Sequence, residues 1–155
     1  MASDEETFRR LYPDLRRFAA VVGGLGQDPD DLVQEAVVRA LRRGSLHELA
    51  SPGSYLRRAI LNLAHDSRRS SLRRDRALDR LRRDAETPAQ DPGSGRLDDL
   101  EHLAPVERAV LYLVDVEGYS FDEASSLIGI SVTAARSRAS RARRRLRGLI
   151  EEDDS

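Results

Sequence analysis

The sequence predicts an all-α protein built from two small helical domains that are joined by a flexible acidic linker. Apolar residues recur at spacings of three and four along most of the chain, and no long alternating strand pattern appears. Residues 84–96 contain two prolines, two glycines and no periodic apolar residue, which is typical of a linker. We therefore assign an N-terminal domain to residues 1–83, a C-terminal domain containing a helix-turn-helix to residues 97–150 and an acidic tail to residues 151–155.

The composition excludes several classes of protein. The 155-residue chain has no cysteine, which excludes disulfides, thiolate zinc sites and cysteine nucleophiles. No apolar run approaches the roughly 18 residues that a membrane-spanning helix needs, and the acidic N-terminus is unlike a signal peptide. We expect a soluble, cytoplasmic protein with no membrane insertion, no bound metal and no cofactor.

The charges are strongly segregated although the formal net charge is only -1. Residues 57–83 hold ten Arg against three Asp, and residues 120–150 hold seven Arg against two acidic residues. The net charge is -5 over residues 84–101 and -4 over residues 151–154. The average charge therefore conceals two basic segments that are separated and flanked by acidic ones, and it does not by itself argue against nucleic-acid binding.

Two amphipathic helices are predicted in the first third of the chain, at Glu6 to Val22 and at about Pro29 to Arg43. The buried face of the second helix should consist of Val33, Ala36, Val37, Ala40 and Leu41. Its opposite face carries Asp31, Gln34, Glu35 and Arg39 around Val38. Such a face is either simply solvated or a protein-docking surface, in which charges surround a small apolar centre. The residues alone favour neither interpretation.

A third helix should begin at a Ser54 cap and run from about Tyr55 to near Arg73, after a loop at residues 44–53. One stripe of this helix combines an aromatic ring, an amide, a carboxylate and two guanidinium groups, at Tyr55, Arg58, Asn62, Asp66 and Arg69. Bases stack on rings, amides bond base edges and guanidinium groups bind phosphates, so the stripe suits single-stranded nucleic acid. Alternatively, Tyr55 borders the core and Asn62 is an ordinary surface residue.

Residues 120–147 are typical of a helix-turn-helix. Ser120 and Glu123 form the S-x-x-E capping box of a short helix, Gly129 ends it, and Ser131 is a candidate cap for the next helix. That second helix carries seven arginines separated mainly by Ala, Ser and Leu. In a helix-turn-helix the second helix lies in the DNA major groove.

Three stretches in this order resemble the extracytoplasmic-function sigma factors of bacterial RNA polymerase. They are DDLVQEAVVRALRR at 30–43, SYLRRAILNLAHDSRRSSLRR at 54–74 and LEHLAPVERAVLYLVDVEGYSFDEASSLIGISVTAARSRASRARRRLR at 100–147. A helix-turn-helix alone is common to many regulators, whereas all three motifs in order are specific. The resemblance implies a non-enzymatic factor that binds core RNA polymerase and promoter DNA, and that an anti-sigma factor restrains.

The resemblance also implies a role for each surface. Polymerase docking falls on Asp31, Leu32, Gln34, Glu35, Val38 and Arg39. Opening and reading of the minus-ten element fall on Tyr55, Arg58, Asn62, Arg68, Arg69 and Arg73. Reading of the minus-thirty-five duplex falls on Arg136, Ser137, Arg138, Ser140, Arg141 and Arg144. Because Arg is the commonest bidentate reader of guanine, Arg136 and Arg141 are the best candidates for base contacts, and most other arginines should contact phosphates.

The chain departs from the family pattern at several positions. Tyr55 stands where the family usually has Trp, and Arg57 where an aromatic or apolar residue is frequent. In the helix-turn-helix, Ser125 replaces a small Ala and Ala134-Ala135 replaces a common Thr-Val pair. These differences bear on which promoter bases are read.

Two other functions fit part of the sequence. A conventional helix-turn-helix repressor or activator accounts for residues 120–147 but gives no role to the Tyr55 stripe or to Val38. An HD-type phosphohydrolase is suggested by His65-Asp66 with His47, but the surrounding arginines would repel a divalent metal. We expect His65 to be exposed and Asp66 to pair with Arg58, Asn62 or Arg69.

Overall fold

A computed structural model of the chain describes residues 3–84 and 103–153. The six α-helices within these ranges are α1 (Asp4–Gly23), α2 (Pro29–Arg43), α3 (Pro52–Asp84), α4 (Pro105–Leu111), α5 (Phe121–Ile128) and α6 (Val132–Asp153). A short 3-10 helix (Leu46–Glu48) precedes α3, and a π-helical turn (Tyr112–Val116) follows α4. No strand occurs in the described ranges, and the predicted all-α fold is confirmed. Nearly all of the predicted linker and the predicted start of the C-terminal domain lie outside them.

Helix α1 begins two residues earlier than predicted because a capping box precedes its apolar pattern. The Ser3 hydroxyl accepts a hydrogen bond from the Glu6 amide at 3.1 Å, and the Glu6 carboxylate accepts one from the Ser3 amide at 3.2 Å. This reciprocal pair satisfies two amides that the helix itself cannot bond. The helix therefore starts at Asp4, ahead of the predicted Glu6, and ends at Gly23.

Helix α2 has the predicted bounds, but its buried face differs from the prediction near both ends of the helix. Leu32 is buried, whereas Leu41, predicted to be buried, is 45% exposed. The end of α1 lies close to Leu32, since a Cβ placed on Gly23 would lie 2.6 Å from Leu32 Cδ1. A glycine at that position leaves room for the Leu32 side chain against α1.

Helix α3 is longer than predicted at both ends. It begins at Pro52, and proline suits the first helical turn because it lacks the amide that would remain unbonded there. The predicted Ser54 cap is therefore wrong, because Ser54 is already helical. The N-terminal half buries Leu56, Ile60 and Leu61, while residues 69–81 are exposed throughout. This distal half consists largely of Arg, Leu, Ala and Asp, most of which are strong helix formers.

The helix-turn-helix has the predicted geometry. The capping box of Ser120 with Glu123 is present, and Gly129 ends α5 in the left-handed conformation at φ 75° and ψ 35°. The Ser131 hydroxyl accepts a hydrogen bond from the Ala134 amide at 3.0 Å. Helix α6 packs on α4 and α5 through a stripe of fully buried small residues, Ala135, Ala139 and Ala142.

The two halves of the chain share one continuous apolar core. Helix α1 contacts α4, and α3 contacts α5. The buried cluster runs from Phe18 and Ile60 in the first half to Val110 and Ala124 in the second. The Arg108 guanidinium adds a buried hydrogen bond of 2.7 Å from its Nη2 to the Val22 carbonyl. Among the helices that the structure describes, none is both long and apolar enough to cross a membrane.

The alanine stripe of α6 predicts a test of this packing. Ala139→Leu should lower the free energy of unfolding by about 1–3 kcal/mol, because three added carbons must enter a fully packed position. Ala77→Leu, on the exposed half of α3, is the matched control and should change it by less than about 0.5 kcal/mol. Urea unfolding followed by circular dichroism measures both values, and equal losses would contradict the described packing.

Candidate nucleic-acid interface

The outer face of α6 presents a row of basic and hydroxyl side chains. Five residues predicted to read DNA line one open depression on this face: Arg136, Ser137, Ser140, Arg141 and Arg144. All five are exposed. Residues four apart on a helix lie on one face, so burial of the alanine stripe directs these residues away from the core. The depression offers three guanidinium groups and two hydroxyls to a ligand.

Phe121, at the start of α5, holds two arginines of α6 in place. The guanidinium carbons of Arg136 and Arg143 lie 5.6 Å and 5.9 Å from the centroid of the Phe121 ring, within cation–π range. Phe121 is far from both arginines in sequence, and no sequence signal identified it. The ring restricts Arg136 before any ligand arrives, which reduces the entropy lost on binding.

Three arginines of α6 that do not line the depression interact with the rest of the protein. Arg143 Nη2 donates to Asp115 Oδ1 at 2.6 Å, and Arg145 Nη1 lies 3.5 Å from Glu107 Oε2. Arg138 is half-buried and close enough to α3 for its charge to act on His65. These contacts tie α6 to the rest of the fold. The number of arginines in the sequence does not show which of them have this structural role and which are available to bind phosphates.

His65 is half-buried, so the expectation that it is exposed is wrong. Burial, followed by the positive charges of Arg69, Arg138 and Arg68, lowers the pKa of His65, and Asp66 opposes these charges. The neutral imidazole is therefore favoured in the folded protein. The reason for the error is tertiary, since this side of α3 is turned towards the helix-turn-helix.

The residues predicted to bind the minus-ten element remain largely accessible on α3. Asn62, Arg69 and Arg73 are exposed, and Tyr55 and Arg68 are half-buried. Arg58 was one of three expected partners of Asp66, but its Nη2 donates to the Ser126 carbonyl on α5 at 2.9 Å instead. Tyr55 borders a hollow between the end of α2 and the 3-10 helix, lined by Ala40, Arg43, Gly44, Ser45, Glu48 and Leu49.

The candidate docking face of α2 is charged around a small apolar centre. Asp31, Gln34, Glu35 and Arg39 are exposed, and Arg39 Nε donates to Glu35 Oε1 at 3.1 Å. Val38 is 41% exposed between them. Leu32, also predicted to dock, is buried and contributes to the core beneath this face instead.

The histidines that suggested a metal-dependent enzyme are used otherwise. His47 Nδ1 lies 2.8 Å from Asp4 Oδ1, and the His47 amide donates to the same oxygen at 3.2 Å. These two hydrogen bonds lower the pKa of the Asp4 carboxyl. Across residues 3–84 and 103–153, no group of three His, Asp or Glu side chains is arranged to hold a metal ion.

Comparison with family models and curated proteins supports the sequence resemblance. Residues 7–74 match the model for sigma-70 region 2, and residues 100–146 match that for sigma-70 region 4. The RNA polymerase sigma factor CarQ of Myxococcus xanthus is 35% identical, over 96% of this chain and 89% of its own length. The ECF RNA polymerase sigma factor SigM of Mycobacterium tuberculosis is 31% identical, over 94% and 76% respectively.

Two solved structures have a similar fold. The sigma factor RpoE from Bartonella quintana, in complex with the anti-sigma factor NepR, has a TM-score of 0.54 and 22% identity. The alignment covers 95% of this chain and 96% of that one. CnrH, in complex with the cytosolic domain of CnrY, has a TM-score of 0.58 and 25% identity, over 97% and 88% of the two chains.

The surroundings of His65 predict a pH dependence of stability. Because the pKa of His65 is lower in the folded chain than the ordinary value, its stabilising contribution is complete above the unfolded pKa of about 6.5. The contribution is lost as the pH falls through the folded pKa, since protonation then favours the unfolded chain. The free energy of unfolding should therefore decrease as the pH drops below about 6.5. The decrease should be smaller in His65→Gln. Urea titrations at several pH values measure this, and identical slopes for the two proteins would contradict it.

Proposed function

The chain belongs to the extracytoplasmic-function sigma factors of bacterial RNA polymerase, which direct promoter-specific transcription, and we propose how its surfaces divide that task. The observation that carries the proposal is the outward row of arginine and serine side chains on α6. We assign this row to the minus-thirty-five duplex. Arg136 and Arg141 are the candidate base readers, because a guanidinium group bonds guanine bidentately in the major groove.

The exposed stripe of α3 is assigned to the minus-ten element. Asn62, Arg69 and Arg73 face solvent along one helix, where an amide meets base edges and guanidinium groups meet phosphates. We assign the hollow beside Tyr55 to an unpaired base that would stack on the ring. Stacking of this kind offsets the cost of unstacking the duplex, and capture of unpaired bases favours the open promoter.

The exposed face of α2 is assigned to core RNA polymerase. Val38 supplies an apolar centre, and the surrounding charges set orientation and suppress wrong partners. Leu32 acts from beneath this face by holding α2 against α1. A conventional repressor would give this face no role, which is why the sigma assignment accounts for more of the chain.

Two further properties belong to the proposal. Sigma factors are non-enzymatic regulators, and we assign this chain no catalytic activity and no cofactor. One similar solved structure is a sigma factor bound to an anti-sigma factor, and an anti-sigma factor is accordingly proposed as the partner that restrains this chain. Its partners are then core RNA polymerase, promoter DNA and that regulator.

Base reading by α6 is tested by truncating its arginines. Arg136→Ala and Arg141→Ala should each weaken initiation by about 1–3 kcal/mol on promoters that carry the preferred base, because a bidentate contact is lost. Arg147→Ala, also exposed on α6 but outside the depression, is the control and should weaken all promoters by a similar small amount. Run-off transcription with core polymerase measures these effects, and equal losses on all promoter sequences would argue against base reading.

Polymerase docking by α2 is tested at its apolar centre. Val38→Asp should abolish co-purification with core polymerase and leave the circular dichroism spectrum unchanged, since a carboxylate would be desolvated in the interface. Leu78→Asp places the same charge at a comparably exposed apolar residue of α3 and should retain binding. If Val38→Asp still bound core polymerase, this face of α2 would be an ordinary solvent-exposed surface and the docking assignment would be contradicted.

A further inference from the structure

The two candidate base readers of α6 differ in what holds their side chains before DNA arrives. Arg136 and Arg141 both line the open depression, and both are exposed. The guanidinium carbon of Arg136 lies 5.6 Å from the centroid of the Phe121 ring. The Arg141 side chain has no ring contact, ion pair or hydrogen bond with any residue of the described ranges. One reader is therefore held in place, and the other can adjust its position.

The contact with Phe121 leaves the hydrogen-bonding groups of Arg136 available. Within residues 3–84 and 103–153, the Arg136 guanidinium forms neither a hydrogen bond nor an ion pair. A guanidinium group has five N–H donors, and an aromatic ring attracts its charge without offering an oxygen that would accept from them. Positioning by a ring therefore preserves the donors that bidentate binding of guanine requires.

Arg143 shares the same ring, but its donors are used within the protein. Its guanidinium carbon lies 5.9 Å from the ring centroid. Arg143 Nη2 donates to Asp115 Oδ1 at 2.6 Å, and Nε donates to Oδ2 at 3.4 Å. The Asp115 carboxylate compensates the charge of Arg143 and so reduces the repulsion between the two cations at one ring. Of these two arginines, Arg136 is thus the one that can meet DNA with all its donors.

The Phe121 ring is itself held in place by the start of α5. It directly follows the Ser120 cap, and the capping box of Ser120 with Glu123 fixes the first turn of that helix. The ring is half-buried and packs against the continuous core. A ring held in this way restricts the rotamers of the exposed Arg136 side chain. Arg136 therefore loses less conformational entropy when it meets a base.

We propose that Phe121 is a positioning residue that sets how strictly one base pair of the minus-thirty-five element is read, and that it acts through Arg136. This role rests on the assignment of α6 to that element. A guanidinium group that is held in one orientation meets the two acceptors of guanine readily, and it adjusts poorly to a different base. The base pair that Arg141 reads does not depend on Phe121, because no ring holds Arg141.

The test begins by locating the base pairs that the two arginines read. Core RNA polymerase with the full chain is assayed by run-off transcription on fragments in which each base pair of the minus-thirty-five element is changed in turn. Discrimination is the ratio of transcription with the preferred base pair to transcription with the changed one. The position at which Arg136→Ala removes discrimination is the one that Arg136 reads, and Arg141→Ala identifies a second position in the same way.

Phe121→Leu should lower discrimination about two- to fivefold at the position read by Arg136, as expected for the loss of one exposed cation–π contact. It should leave discrimination unchanged at the position read by Arg141, and it should have no further effect when combined with Arg136→Ala. Phe121→Tyr keeps the aromatic face and should retain the native discrimination. Pentafluorophenylalanine at position 121 keeps a ring of similar shape but removes the negative charge of its face, so it should act like Phe121→Leu.

Several outcomes would overturn the positioning role. A loss of equal size at the position read by Arg141 would show that Phe121 only supports the fold. Native discrimination with pentafluorophenylalanine would show that packing, and not attraction between charge and ring, is responsible. An undiminished effect of Phe121→Leu in Arg136→Ala would show that Phe121 does not act through Arg136. If Phe121→Leu lowers the helix content, the comparison of Phe121→Tyr with pentafluorophenylalanine repeats the test with an aromatic ring in place.

The same measurements separate the positioning role from the function on which it rests. If Arg136→Ala removes discrimination at one position and the Phe121 variants do not lower it there, the positioning role is wrong and the assignment of α6 stands. If neither Arg136→Ala nor Arg141→Ala alters discrimination at any position, the assignment of α6 is wrong and the positioning role fails with it.

Discussion

The left-handed backbone of Gly129 is the constraint on which the rest of the structure depends. It ends α5, and α6, which follows it, packs on α4 and α5 through its alanine stripe. An L side chain at this φ is strained by about 1–2 kcal/mol, and here it would also meet Arg58. Gly129 therefore ends α5 and also leaves room for the Arg58 side chain of the other half.

The charge on α6 acquires its meaning from this packing. A helix with seven arginines could present them in any direction, but burial of Ala135, Ala139 and Ala142 leaves one face outward. On that face, Arg136 is restrained by Phe121 while Arg141 faces the open depression. Arg143 forms an ion pair with Asp115 of the π-helical turn, and Arg145 forms one with Glu107 of α4. The helix thus has an outward face of Arg and Ser side chains and a second face whose arginines contact the rest of the fold.

Local signals in the sequence were sufficient for much of the fold. The capping box at Ser120, the cap at Ser131 and the bounds of α2 depend on side chains within a few residues of the helix ends. Even α1 carried such a signal, at Ser3 and Glu6, which the apolar periodicity concealed. The exposed positions of Arg136, Arg141 and Asn62 likewise follow from helix periodicity.

Contacts between distant segments could not be predicted in this way. The burial of Leu32 depends on the glycine end of α1, and the half-burial of His65 depends on the position of the helix-turn-helix. Arg58 donates to the backbone carbonyl of Ser126, 68 residues away, and not to Asp66 on its own helix. Each of these depends on how the two halves pack, a property that no single helix carries in its own spacing.

The most direct measurement is run-off transcription by purified core RNA polymerase, with and without the unmodified chain, on a library of promoter fragments. The account predicts that the chain adds transcripts from a subset of fragments that share a minus-ten and a minus-thirty-five element. It also predicts that changing either element reduces those transcripts. Transcription no greater than that of core polymerase alone, on every fragment, would contradict the account.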